Sequence, residues 1–210
     1  ENTTPTAGDW SSLTAYNDST VFKNVYVYYS SLGIRYYNNS VPDSYPLIEH
    51  CYFYDNKTSV YFESGSTATT AYITHPKLIN NHFIRSQSFP IVLNGSSYWT
   101  EINSNTFTES RYPAIGLLGN WYGSGVWEAI IGDSGDIFPY AVIGYTYVQT
   151  DAQISVPAGM VFKFVRGAAP NYNRHFISAI GTITLNGTDQ SPVIFTSFQD
   201  DSVSGDTNAD

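Results

Sequence analysis

Four stretches of this chain share one pattern, and that pattern limits the fold more than any other feature. They are Phe22-Lys-Asn-Val25-Tyr-Val27, Ile48-Glu-His-Cys51-Tyr-Phe53, Leu78-Ile-Asn-Asn81-His-Phe83 and Ile102-Asn-Ser-Asn105-Thr-Phe107. Each has a large apolar residue, a small or amide residue three on, and another apolar residue two beyond that. Their starts are separated by 26, 30 and 24 residues, and a second apolar stretch opens at Ile34, Val60, Ile91 and Ile115. A three-residue strand cannot bury an apolar face alone. Stacking equivalent strands from successive turns can, and the spacing suits one turn of a parallel β-solenoid with variable corner loops. An antiparallel sandwich would instead need tight hairpins every ~8–12 residues, and such signals are not evident.

The pattern predicts ladders of inward residues: Phe22/Ile48/Leu78/Ile102 and Val27/Phe53/Phe83/Phe107. Val25, Cys51, Asn81 and Asn105 share a third inward position, where stacked amides bond to one another and to corner backbone. Cys51 is therefore expected in the core and not as a nucleophile. As the only cysteine it excludes an intrachain disulfide and a Cys-based zinc site.

Composition agrees with short stacked strands. The 210 residues include 44 Ser and Thr, 16 Asn and 18 Tyr, but only 18 Leu, Glu and Lys together. Helix-surface residues are nearly missing, while β-branched, aromatic and turn-forming ones abound. With 18 acidic against 9 basic residues the net charge is −9, which argues against a nucleic-acid partner. No apolar run approaches the ~18–20 residues of a membrane-spanning helix. The sequence has neither an initiator Met nor a signal peptide, so its start is expected after processing or inside a longer protein.

Residues 1–132 are expected to hold the coils with their variable loops. Residues 133–210 are expected to add strands at Tyr140–Tyr147, Gln153–Val156, Met160–Val165, Phe176–Ile180, Thr182–Leu185 and Val193–Thr196, then an acidic loop. The stretches Val156–Phe164, Ile180–Thr188, Ser191–Ser197 and Asp200–Asp210 resemble large bacterial and archaeal surface proteins built from right-handed parallel β-helices, the pectate-lyase-like kind. In that family an acidic loop precedes a Gly-Asp-Trp motif; here Gly8-Asp9-Trp10 stands near the start. The permuted order implies one period of a tandem array, or a subunit whose two ends meet between neighbours in a filament.

Candidate chemistry is sparse. Asp206-Thr-Asn208-Ala-Asp210, with Asp200 and Asp201 upstream, places oxygen ligands at alternate positions and matches the first half of a calcium-loop pattern. Calcium is the cofactor expected there, although the family has Gly where Ala209 stands. Loop aromatics Trp99, Trp121, Tyr122 and Trp127 are candidate glycan contacts, as is the outward row Tyr26, Tyr28, Tyr52 and Tyr54; the alternative is that the loop rings cap the core. Six sequons begin at Asn2, Asn17, Asn38, Asn56, Asn94 and Asn186, against about three expected from composition, which favours an extracellular glycoprotein.

Polysaccharide cleavage would need paired carboxylates or a base beside a groove. Glu49, Glu63, Glu101, Glu109, Asp55, Arg35, Arg85 and Arg111 read instead as solvated rung positions, and His50, His75, His82 and His175 lack metal-ligand spacing. No catalytic residue is assigned. The expected fold is all-β, a right-handed parallel β-helix of about eight short turns. The expected function is that of a non-enzymatic extracellular or cell-surface structural protein, copies of which assemble end to end. A carbohydrate-binding or adhesin module is the alternative.

Overall fold

A computed structural model describes residues 4–16, 20–66, 71–132, 135, 137–167 and 175–210. Among these residues there are 24 strands and no helix. The sequons at Asn2 and Asn17 lie outside the described residues.

The chain winds as a parallel β-solenoid of about six turns. One four-stranded sheet stacks Val21–Lys23, Leu47–Glu49, Lys77–Ile79 and Glu101–Asn103. A second stacks Tyr26–Tyr28, Tyr52–Tyr54, His82–Ile84 and Thr106–Thr108. A nine-stranded sheet runs the length of the molecule, from Leu13–Tyr16 at one end to Ile194–Ser197 at the other. Every pair of strands is parallel except Ile130–Ile131 with Ile137–Phe138. Residues of the repeats are direct partners as the spacing predicts: Phe22, Ile48, Leu78 and Ile102 in one ladder, Val27, Phe53, Phe83 and Phe107 in another.

The solenoid makes about six turns where about eight were expected. Ile115–Trp121 and Tyr140–Val148 are long strands that run past a bulge between Leu117 and Gly119. Ile115 pairs with Tyr140, so the long sheet crosses the expected boundary at residue 132. Strands of the second half fall within two residues of their expected limits, for example Val161–Phe164 and Ile194–Ser197.

The corners explain why each turn stacks on the next. Asn24, His50, Asn80 and Ser104 all sit at φ 53–55°, and Tyr29, Asp55, Arg85 and Glu109 at φ 52–58°. This left-handed conformation disfavours residues other than Gly, Asn and Asp. It is repeated because each corner amide donates to the next turn: His50 N to Ile79 O at 3.1 Å, Asp55 N to Ile84 O at 3.1 Å, Arg85 N to Thr108 O at 2.9 Å. Just after several corners an amide or hydroxyl side chain turns inward, whereas Val25 and Cys51 fill that position in the first two turns. Asn81 Nδ2 donates to Ile48 O at 2.8 Å and to Asn105 Oδ1 at 2.9 Å, and Asn81 Oδ1 accepts from Cys51 N at 3.0 Å. At the second corner Asn56 Oδ1 accepts from Ser30 N and Ser30 Oγ, and its Nδ2 donates to Val27 O at 2.9 Å. These amides satisfy backbone groups that the turn would otherwise bury unpaired.

Candidate functional site

Four of the five carboxylates considered for catalysis pair with cations on a neighbouring turn. Glu49 meets Lys23 at 2.7 Å, Glu63 meets Arg35 at 2.6 Å, Asp55 meets Arg85 at 2.6 Å, and Glu101 meets Lys77 at 3.4 Å. The Arg85 guanidinium holds the Asp55 carboxyl below the ordinary carboxylate range, and the Lys23 ammonium does the same to Glu49. A carboxylate poised as a general acid would be raised, not lowered. Arg111 lies over the Tyr112 ring, 5.2 Å from its centroid. His82 stacks on Tyr52 with centroids 4.4 Å apart, His75 stacks on Tyr45, and His50 Nδ1 lies 3.6 Å from Glu49. These pairs act as tie-bars between turns, on two sheets and at one corner.

The acidic loop has an unexpected centre. Lys163 faces outward from the long sheet, in register with Ala141 and Thr196, yet is fully buried. Residues 198–210 fold back over it. Its ammonium donates to Asp200 O at 2.8 Å, Gly205 O at 2.9 Å and Thr207 Oγ1 at 2.9 Å. Burial draws this ammonium below the usual lysine value, and the carboxylates of Asp201, Asp200 and Asp206 oppose that shift. Phe198 anchors the same segment by packing on Phe89 and Tyr112 in a small apolar cluster with Val92, Ala114 and Ala141.

Asp200 accepts hydrogen bonds from Ser202 and Thr196, Asp206 Oδ1 accepts from Asn208 N and Ala209 N, and Asn208 Nδ2 donates to Asp210. Asp201 is exposed. Among the described residues no three His, Cys, Asp or Glu side chains converge as a metal cage. The side chains of Asp200, Asp206, Asn208 and Asp210, named with Asp201 for calcium, hydrogen-bond within the loop, while the Lys163 ammonium is held by the Asp200 and Gly205 carbonyls and the Thr207 hydroxyl. Replacing Lys163 with methionine is expected to free the 198–210 segment and to cost about 1–3 kcal/mol, since three acceptors lose their donor. Limited proteolysis and thermal unfolding check this; an unchanged cleavage pattern counts against the clasp.

The tryptophans are corrected by the structure. Trp99, Trp121 and Trp127 are 6%, 0% and 1% exposed and belong to the core, so they cannot touch a glycan. Trp99 Nε1 donates to the Tyr140 hydroxyl, and Trp121 packs edge-on against Trp127 at 5.2 Å. Tyr122 is half-buried, with its hydroxyl accepting from Ser66. The outward tyrosines form two columns: Tyr26 on Tyr52 at 4.8 Å and 6°, Tyr28 on Tyr54 at 5.2 Å and 11°. Sugar stacking uses ring faces; each tyrosine of a column covers one face of its partner, Tyr52 turns its other face to His82, and Tyr26 and Tyr28 remain exposed.

Among the sequons, Asn38 and Asn56 are fully buried and hydrogen-bonded, Asn94 is half-buried with Nδ2 on the Tyr61 hydroxyl, and Asn186 is exposed. A glycan on Asn38 or Asn56 would displace the corner bonds these side chains make.

The two ends of the coil expose large apolar side chains. At one, Trp10, Leu13, Tyr16, Val21 and Tyr26 are exposed; at the other, Ile180, Leu185 and Phe195. The second end opens into a cavity of about 340 Å³ walled by Trp127, Val156, Phe162, Phe164, Ile177, Ile183, Leu185 and Phe195. Leu13 and Phe195 terminate a single inward ladder, which runs Leu13, Ile34, Val60, Ile91, Ile115, Tyr140, Phe162, Phe195. No helix among the described residues is long and apolar enough to cross a membrane. Comparison of the chain with family models, curated proteins and solved structures finds no match.

Proposed function

We propose that this chain is a non-enzymatic structural module of the extracellular or cell surface, a β-solenoid that extends by stacking copies end to end. The observation carrying the reading is the inward ladder that ends half-exposed at both poles, in Leu13 at 41% and Phe195 at 46%. An open solenoid pole leaves strand edges and core residues unpaired, and such poles are covered by a cap or by further coils. Rung-to-rung ion pairs and tyrosine columns strengthen cohesion along the axis without building a reactive centre. The likeness of residues 156–210 to bacterial and archaeal surface proteins with right-handed parallel β-helices supports the same reading, as does the exposed Asn186 sequon.

A module of this kind is expected to form particles larger than one chain, elongated along the solenoid axis. Light scattering or sedimentation across a concentration series, with electron microscopy of the same sample, tests this. A compact monomer at every concentration overturns the proposal.

A further inference from the structure

From the two poles we infer a defined junction: the edge strand Ile194–Ser197 of one copy pairs in parallel with the edge strand Leu13–Tyr16 of the next, Phe195 lying over Leu13. This rests on the end-to-end reading above and names the contact that reading leaves open.

Three observations fix the pairing. First, the two strands are the terminal members of one continuous parallel sheet, each four residues long and each with a single strand partner. Setting one on the other extends an existing column and creates no new geometry. Second, with Phe195 on Leu13 the three positions 195–197 continue in kind, although Ile194 then meets Ser12. The inward ladder passes from Phe195 to Leu13, the outward position sets Thr196 on Thr14, and the next inward position sets Ser197 on Ala15, small on small. The mixed ladder Tyr140–Phe162–Phe195 is already stacked at 5.7 and 5.1 Å, and one face of Phe195 stays open.

Third, the cavity behind Phe195 is walled by aromatic and aliphatic side chains and opens at the pole. An arriving edge strand brings apolar side chains to fill it. The pole-to-pole contact is heterologous, so it propagates and does not close at a dimer.

Complementary variants of the full chain test the junction. Phe195→Asp spoils one pole and Leu13→Asp the other, each placing a carboxylate in an apolar contact and weakening assembly about a hundredfold or more. Neither variant alone should grow beyond one chain. Mixed, they should give a particle of two chains, because the intact Leu13 pole of the first meets the intact Phe195 pole of the second. That result also shows that both variants fold. The register is read from cysteines in a Cys51→Ser background. Paired at a rung spacing of about 4.8 Å, Leu13→Cys with Phe195→Cys should oxidise to reducible polymers. Ala15→Cys with Phe195→Cys, displaced along the strand by about 6.6 Å, should not.

If the wild-type chain assembles but the mixture stays at single chains, or the displaced cysteines link instead, this junction is wrong while end-to-end growth stands. If the wild-type chain is monomeric and a long-chain fatty acid changes its tryptophan fluorescence, the cavity belongs to an amphiphile, and both the junction and the reading beneath it fall.

Discussion

Asn81→Ala is expected to destabilise the solenoid by about 3–5 kcal/mol, far more than a surface asparagine in the same turn. Its side chain accepts from Cys51 N and donates to Ile48 O and Asn105 Oδ1, all in the interior. Truncation strands the Cys51 amide and the Ile48 carbonyl where water does not reach, at about 1–3 kcal/mol for each orphan, and leaves a small void besides. Asn103 is the control. It is exposed and bonds only to Glu101 Oε1, so its replacement should cost less than about 0.5 kcal/mol. Urea unfolding gives the difference, and hydrogen exchange localises it, because the Cys51 amide should lose its protection first. Equal losses at the two positions would show that the inward amides are packing filler.

Phe83→Ala is expected to cost about 3–5 kcal/mol by a different route. Phe83 is fully buried between Phe53 at 5.0 Å and Phe107 at 4.9 Å, with the rings within 6° of parallel. Removing it opens a cavity between turns whose spacing is held by backbone hydrogen bonds, so collapse is limited and the full void remains. Phe195→Ala in an isolated chain should cost under about 1 kcal/mol, because that ring is half in solvent already. Thermal and denaturant unfolding of the two variants side by side decides this. A Phe83→Ala protein as stable as Phe195→Ala would mean that the coils slide to heal the gap.

The register of this fold was legible because a solenoid writes it locally. A few apolar and amide positions per turn, repeated four times, suffice to pair the repeat strands of residues 21–108, though not Asp43–Ser44 with Ile73–Thr74. The corner conformations were not legible, since Tyr29, Asp55, Arg85 and Glu109 share a backbone shape but no chemistry. There the turn above dictates φ and local propensity yields. Trp121 and Trp127 were misplaced because glycines between them suggested a loose loop. Those glycines mark the reverse: a Cβ on Gly125 would stand 2.2 Å from the Tyr98 ring, and one on Gly123 2.5 Å from Ile73 Cδ1. The segment is pressed onto the core, and only glycine lets it come so near.

The clasp on Lys163 was not legible for a related reason. The alternating oxygens of the acidic loop are visible in sequence, but Lys163, which holds the loop through Asp200 O, Gly205 O and Thr207 Oγ1, precedes Asp200 by 37 residues and meets it only through folding.

One consequence of the winding concerns force. Strands lie across the axis, so the hydrogen bonds joining turns lie along it, and tension between the chain's two ends bears first on whichever terminal turn has a single neighbour. Turns then peel away one after another while the interior stays wound. With repeats of 26, 30 and 24 residues, each peeled turn pays out roughly 80–100 Å of chain. If the proposed end-to-end rod exists, it would lengthen in instalments under load and rewind from the turns still standing.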